Sequence, residues 1–266
     1  MPETAPPANP PANPWVIAKL PPNPPASGPR FGPRQAIVAL GGFFLLQAVL
    51  TAGVLFLRDL ALKLAHRPVG MPAPGLLAGS VIAAYVLAAA WAVAYVRRRA
   101  GARLRLGAPE GIAWCPAPPR AYLAAAMVAL IAVATAAAML RLFPVPDTAL
   151  RHSAFPALLS PGVTLLPALA LVVLGAPLAE EFLFRGAAFA AFAPRLGPLG
   201  ASLLVTAVFV AVHAPEKLAY PPGFLDVTVM ALGAAWLRLR YRSIRPAVVL
   251  HILYNFGVVA AAMLLH

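Results

Sequence analysis

The sequence predicts an all-α fold: a polytopic membrane bundle of seven transmembrane helices, or eight if one more span escapes the hydropathy pattern. Three observations carry this. First, 61% of the 266 residues are hydrophobic and 11% are charged, whereas a soluble domain carries about a quarter charged residues. Second, residues 35–57, 68–96, 121–140, 153–179, 196–215 and 246–265 contain no Asp, Glu, Lys or Arg. Each run nears or exceeds the roughly 20 residues a helix needs to cross the hydrocarbon core. Third, the basic residues are sided. With the N-terminus in the cytoplasm, cytoplasmic segments hold 14 Lys and Arg and the opposite side holds 6, as the positive-inside rule demands.

Taken in order, residues 1–34 contain 12 prolines and too little apolar surface to offset the entropy of ordering. They are expected to form a disordered, polyproline-like cytoplasmic tail, with the transmembrane domain at 35–266. No cleavable signal peptide is expected, because the first apolar run starts only near residue 36. Span one covers about 36–57 and span two about 76–96. A basic cluster follows (Arg97, Arg98, Arg99, Arg103, Arg105), then Pro109, Pro116, Pro118 and Pro119, then span three at about 121–140. These three spans read as scaffold, with the polar chemistry confined to the C-terminal half. Span four runs from about Gly162 to Phe192 and is interrupted by Pro167 and Pro177. Either a long helix kinks before Glu180, or a re-entrant segment precedes a separate helix. Span five covers about 198–215. Span six, about 223–238, is weakened by Asp226 at its entrance, and span seven covers about 246–264.

Composition also excludes functions. The net charge of +13 does not mark a nucleic-acid binder, because the arginines lie in short loops between apolar spans and not on a polar face with interleaved aromatics. Cys115 is the single cysteine, which rules out an intrachain disulfide and any multi-cysteine metal site. No HExxH pattern or third clustered ligand suggests zinc, so no cofactor or metal is expected. The Arg-over-Lys and Ala bias suggests a bacterial source and an inner-membrane location.

The chemistry concentrates around Glu180 and Glu181, adjacent carboxylates in an apolar run. A charge at bilayer depth costs about 2.5 kcal/mol or more. Glu181 and Arg185 stand at i and i+4 on a helix, acid first, which makes them an ion pair. Glu180 is left to face something else. Phe209 and His213 share a face of span five, and His251 and Asn255 share a face of span seven. Glu180 with His213 would activate a water, while His251 and Asn255 would stabilise a carbonyl oxyanion. Singly, each residue also fits a structural role: a packing lock, an interfacial histidine, or an asparagine bonded to a neighbouring helix. His152 and His266 are read as incidental.

EEFLFR, FVAVH and HILYN, in that order on successive spans, resemble the motifs EExxxR, FxxxH and HxxxN of the CPBP family, which comprises type II CAAX prenyl proteases and bacteriocin-processing or self-immunity proteins. The resemblance covers about 160–262. Where the family commonly has a Thr-Gly-Ser turn, this chain has Tyr241, Arg242 and Ser243. The resemblance implies an intramembrane glutamate-type endopeptidase acting on a membrane-associated peptide or protein. Glu180 and His213 would activate water, His251 and Asn255 would form the oxyanion site, and Glu181 and Arg185 would be structural. Prenylated substrates are not expected in a bacterium. Two rival functions are a non-catalytic scaffold or immunity protein and a proton-coupled transporter, the latter disfavoured by the missing internal repeat.

Overall fold

The computed structural model of the protein describes residues 31–100, 104–146, 162 and 164–264. The proline-rich tail up to residue 30, His152, His266 and the first part of the run 153–179 lie outside the described residues. Among the described residues every regular element is a helix.

Three helices open on a proline, whose missing N–H costs nothing at the first helical position: α1 (Pro33–Leu64), α2 (Pro74–Arg99) and α3 (Pro119–Leu142). α1 therefore begins inside the stretch assigned to the tail, and Gln35 Oε1 secures its start by accepting the Gly32 N–H at 3.0 Å. The last turn of α2 holds Arg97, Arg98 and Arg99, cations well placed against the negative end of the helix dipole.

A helical run, Leu165–Val212, follows. At Gly197 the backbone turns to φ 71°, ψ 166°, a conformation open mainly to glycine. This divides the run into α4 (165–196) and α5 (198–212), the expected spans four and five. After a short turn, Ala214–Lys217, come α6 (Gly223–Tyr241) and α7 (Arg245–Leu264). Helices thus stand at all seven expected positions. Among the described residues, five segments have the length and hydropathy of a membrane span: α1, α2, α3, the run Leu165–Val212, and Arg245–Met263. α6 does not qualify, because it carries Asp226, Arg238 and Arg240.

α4 is neither broken nor re-entrant. Two π-helical turns, Leu171–Gly175 and Phe182–Ala188, flank a short α-helical stretch, Ala176–Glu181. Pro177 cannot donate to the carbonyl four residues back, and its ring crowds that carbonyl. The widened turn before it absorbs both problems without breaking the helix. π turns of this kind recur at functional sites, and here both carboxylates sit between two of them.

α1 packs on α2, and α6 and α7 both pack on α3. α4 contacts α1, α2, α6 and α7. Close approach relies on small residues, as in other membrane bundles. A Cβ at Gly233 of α6 would lie 2.3 Å from a Val128 methyl of α3, and one at Gly257 of α7 would lie 2.6 Å from Val133. The core is rich in alanine, yet its largest fully buried side chains are Arg185 and Arg238. Arg238 is satisfied by carbonyls: Nε donates to Arg185 O at 3.0 Å, and Nη2 to Pro109 O at 2.7 Å. It therefore ties the loop before α3 to α4.

Candidate active site

The two carboxylates of α4 have different surroundings. Glu181 is fully buried, and its Oε1 accepts two hydrogen bonds, from Arg185 Nη1 at 3.0 Å and from His251 Nδ1 at 3.0 Å. The i,i+4 ion pair read from the sequence is present. Arg185 is held further by Ala231 O at 3.0 Å and lies 4.4 Å above the Phe209 ring. The aromatic face compensates part of a buried cation's lost hydration.

Glu180 is 9% exposed. One of its oxygens, Oε1, accepts from the Tyr85 hydroxyl at 3.1 Å, and Oε2 stands 4.0 Å from His251 Nε2. That gap is too long for a direct hydrogen bond. His251 therefore spans both acids, one through each ring nitrogen.

An ionised carboxylate only accepts hydrogen bonds, so the Glu181 contact fixes a proton on His251 Nδ1. His213 is fixed similarly. Its Nδ1 lies 2.7 Å from Phe209 O, a carbonyl that only accepts, so neutral His213 keeps its lone pair on Nε2. Phe209 is the common neighbour: its ring centroid is 4.6 Å from that of His213, 5.8 Å from that of His251 and 5.0 Å from that of Phe184.

Of the residues expected to act together, Glu180, Glu181, Arg185 and His251 form one connected cluster, with Phe209 packed against it. His213 makes no hydrogen bond to Glu180 and reaches the cluster only through Phe209. Asn255, one helical turn beyond His251, donates from Nδ2 to Val172 O at 2.8 Å, a carbonyl within the first π turn of α4. One of its two N–H bonds is thus committed and the second is left over.

Three features escaped the sequence reading. Glu181 was assigned to Arg185 alone, but it also orients His251. Asp226, at the entrance that weakened span six, is buried and accepts a hydrogen bond from the Tyr254 hydroxyl of α7. Most important, polar chemistry is not confined to the C-terminal half, because Tyr85 of α2 touches Glu180. A signal for it existed: Tyr85 lies midway along its span, away from the interfacial belts where membrane tyrosines collect.

Residues 162–257, the stretch holding all of these groups except Tyr85, match the family model described as type II CAAX prenyl endopeptidase Rce1-like. No curated protein and no solved structure matches the chain. The Rce1-like match begins just before α4 and ends within α7, so α1 to α3 lie outside it. Among the described residues no three His, Cys, Asp or Glu side chains are grouped to hold a metal ion. Within the matched residues, at the turn between α6 and α7, Arg242 takes the left-handed conformation (φ 51°) that glycine adopts most readily.

Proposed function

We propose that this protein is an intramembrane endopeptidase that hydrolyses a peptide bond in a membrane-associated peptide or protein, with Glu180 as general base. The observation that carries this reading is the placement of His251, hydrogen-bonded to Glu181 on one side and 4.0 Å from Glu180 on the other.

Charge balance supports it. With Glu180, Glu181 and Arg185 ionised, a neutral His251 leaves the cluster at −1, which a low-dielectric site disfavours. A proton added to the cluster restores neutrality, and Glu181 is in place to stabilise an imidazolium formed at His251 during the reaction, as a buried carboxylate does in hydrolytic triads. In that form His251 Nε2–H is a donor, and Glu180 supplies the carboxylate a general base needs.

Glu180 Oε2 takes a proton from water, with His213 Nε2 helping to orient it, and the oxygen attacks the scissile carbonyl carbon. His251 Nε2–H and the second Asn255 N–H hold the resulting oxyanion. Glu180 returns the proton to the departing amine as the C–N bond breaks. The chain's own groups perform each proton transfer. We assign the N-terminus to the cytoplasm on the asymmetry of the basic loops, and the protein to the inner membrane of a bacterium on its Arg-over-Lys and Ala bias.

The test is cleavage of internally quenched peptides with an apolar anchor by protein reconstituted in liposomes. Glu180→Gln should abolish cleavage and leave the thermal unfolding profile intact, because an amide takes no proton from water. Wild-type rates from Glu180→Gln would refute the mechanism. Proton-coupled solute flux in the same liposomes, lost in Glu180→Gln without any peptide cleavage by the wild type, would favour a transporter.

A further inference from the structure

We infer that Tyr85 of α2 is a positioning residue for Glu180, so that the reactive carboxylate is set by a helix outside the Rce1-like segment. This rests on the reading of Glu180 as general base. The Tyr85 hydroxyl lies 3.1 Å from Glu180 Oε1 and 3.4 Å from Ala176 O. Both partners only accept, so the single phenolic proton goes to the carboxylate, the nearer and charged one.

The geometry divides the labour between the two oxygens. Oε1 is held by Tyr85, and Oε2 is left toward His251 Nε2 at 4.0 Å. A glutamate has three side-chain torsions, and an unheld one samples several rotamers. Misplacing a reacting group by about 1 Å can cost on the order of a hundredfold in rate. The hydroxyl is itself fixed, because the Tyr85 ring packs edge-on against Phe43 of α1 at 5.2 Å between centroids. Phe43 is fully buried and also contacts Phe44, whose ring faces Phe184 of α4 at 6.3 Å. A chain of aromatic contacts from α2 through α1 to α4 thus braces the donor and the helix that bears its acceptor. The first two helices supply part of the site's geometry, not only its lipid-facing shell.

The test is Tyr85→Phe, which deletes the hydroxyl and keeps the ring against Phe43. Two readouts separate this inference from the reading it rests on. The first needs no activity: infrared difference spectra of protein in hydrated bilayers, with the Glu180 carboxylate band identified as the one lost in Glu180→Gln. That band should shift in Tyr85→Phe, and an unmoved band would overturn the inference whatever the enzyme does. The second is steady-state cleavage of the quenched peptides. A lost hydrogen bond to a charged group predicts kcat lower by about ten- to a hundredfold with KM unchanged. A raised KM at unchanged kcat would overturn the positioning role, since it would place Tyr85 in substrate binding. A shifted band in a protein that cleaves no peptide would uphold the Tyr85–Glu180 clamp and sink the protease reading instead. Tyr85→Leu, which loses the ring as well, should lower thermal stability more than Tyr85→Phe does.

Discussion

Glu181→Gln separates the structural from the chemical duty of the paired acids. Glu181 is 0% and Arg185 2% exposed, and they meet at 3.0 Å. The substitution removes the charge paired with Arg185 and leaves the cation hydrogen-bonded to neutral acceptors, the new side-chain amide oxygen and Ala231 O, beside the Phe209 ring. Breaking a buried pair by removing one partner costs about 3–5 kcal/mol. Glutamine keeps an oxygen acceptor for Arg185 Nη1, so the lower end, about 3 kcal/mol, applies. At roughly 2–4 °C per kcal/mol for a domain of this size, Tm should fall by about 6–12 °C. Tryptophan fluorescence during heating in lipid nanodiscs would measure this, since the chain has 4 Trp. The double variant Glu181→Gln/Arg185→Met, which removes both charges, should recover at least half of the loss, because an apolar replacement of a whole buried pair is often neutral. A single variant within about 2 °C of wild type, or a double variant no more stable than the single, would refute the argument that charge compensation holds this helix together.

Other perturbations probe other parts of the structure. Asn255→Ala should lower kcat about a hundredfold or more if its second N–H serves an oxyanion; a change below about threefold in the peptide assay would leave Asn255 only as a cap for Val172 O. Gly233→Leu should wedge α6 away from Val128 of α3 and prevent a monodisperse protein from being isolated, which size-exclusion chromatography checks. Arg242→Gly should raise stability by roughly 1 kcal/mol, since glycine enters the left-handed region without the strain an arginine bears there; a lower Tm would show that the Arg242 side chain contributes more than its backbone strain costs.

The helices were legible because hydropathy marks them directly. Charge-free runs located α1, α2, α3 and α7, while the prolines at 33, 74 and 119 that open the first three helices were not used to place their starts. Gly197 separated α4 from α5 as the spacing of spans four and five required. The Glu181–Arg185 pair was legible for a local reason: i,i+4 geometry depends on one helix alone. What stayed hidden depends on helices meeting. No spacing within one segment tells that His251 reaches back 70 residues to Glu181, or that Tyr85 crosses 95 residues to Glu180. The π turns were also invisible, because proline announces a disturbance without saying how the helix absorbs it.

The π turns explain why a proline precedes the acids at all. Widening a helix by one residue frees backbone carbonyls that an unbroken α-helix would bond internally, and in a bilayer each freed group needs a partner. In α4 those partners are side chains from other helices. Asn255 of α7 donates to Val172 O, and Arg238 of α6 donates to Arg185 O. The same two π turns that bracket Glu180 and Glu181 thus dictate which neighbours must approach and in what register. α7 is drawn to the first turn by Asn255, and its His251, one turn earlier on the same face, is thereby brought to the acids. The polar cluster and the distorted helix are one construction. An α4 straightened by replacing Pro177 with alanine should lose the carbonyl that Asn255 binds and carry His251 away from Glu181. Such a variant should fold and hold its helices while losing the Glu181–His251 contact, and nitrogen chemical shifts of labelled histidine would report it. Unchanged His251 Nδ1 and Nε2 shifts in Pro177→Ala would show that α7 docks without help from the π turn.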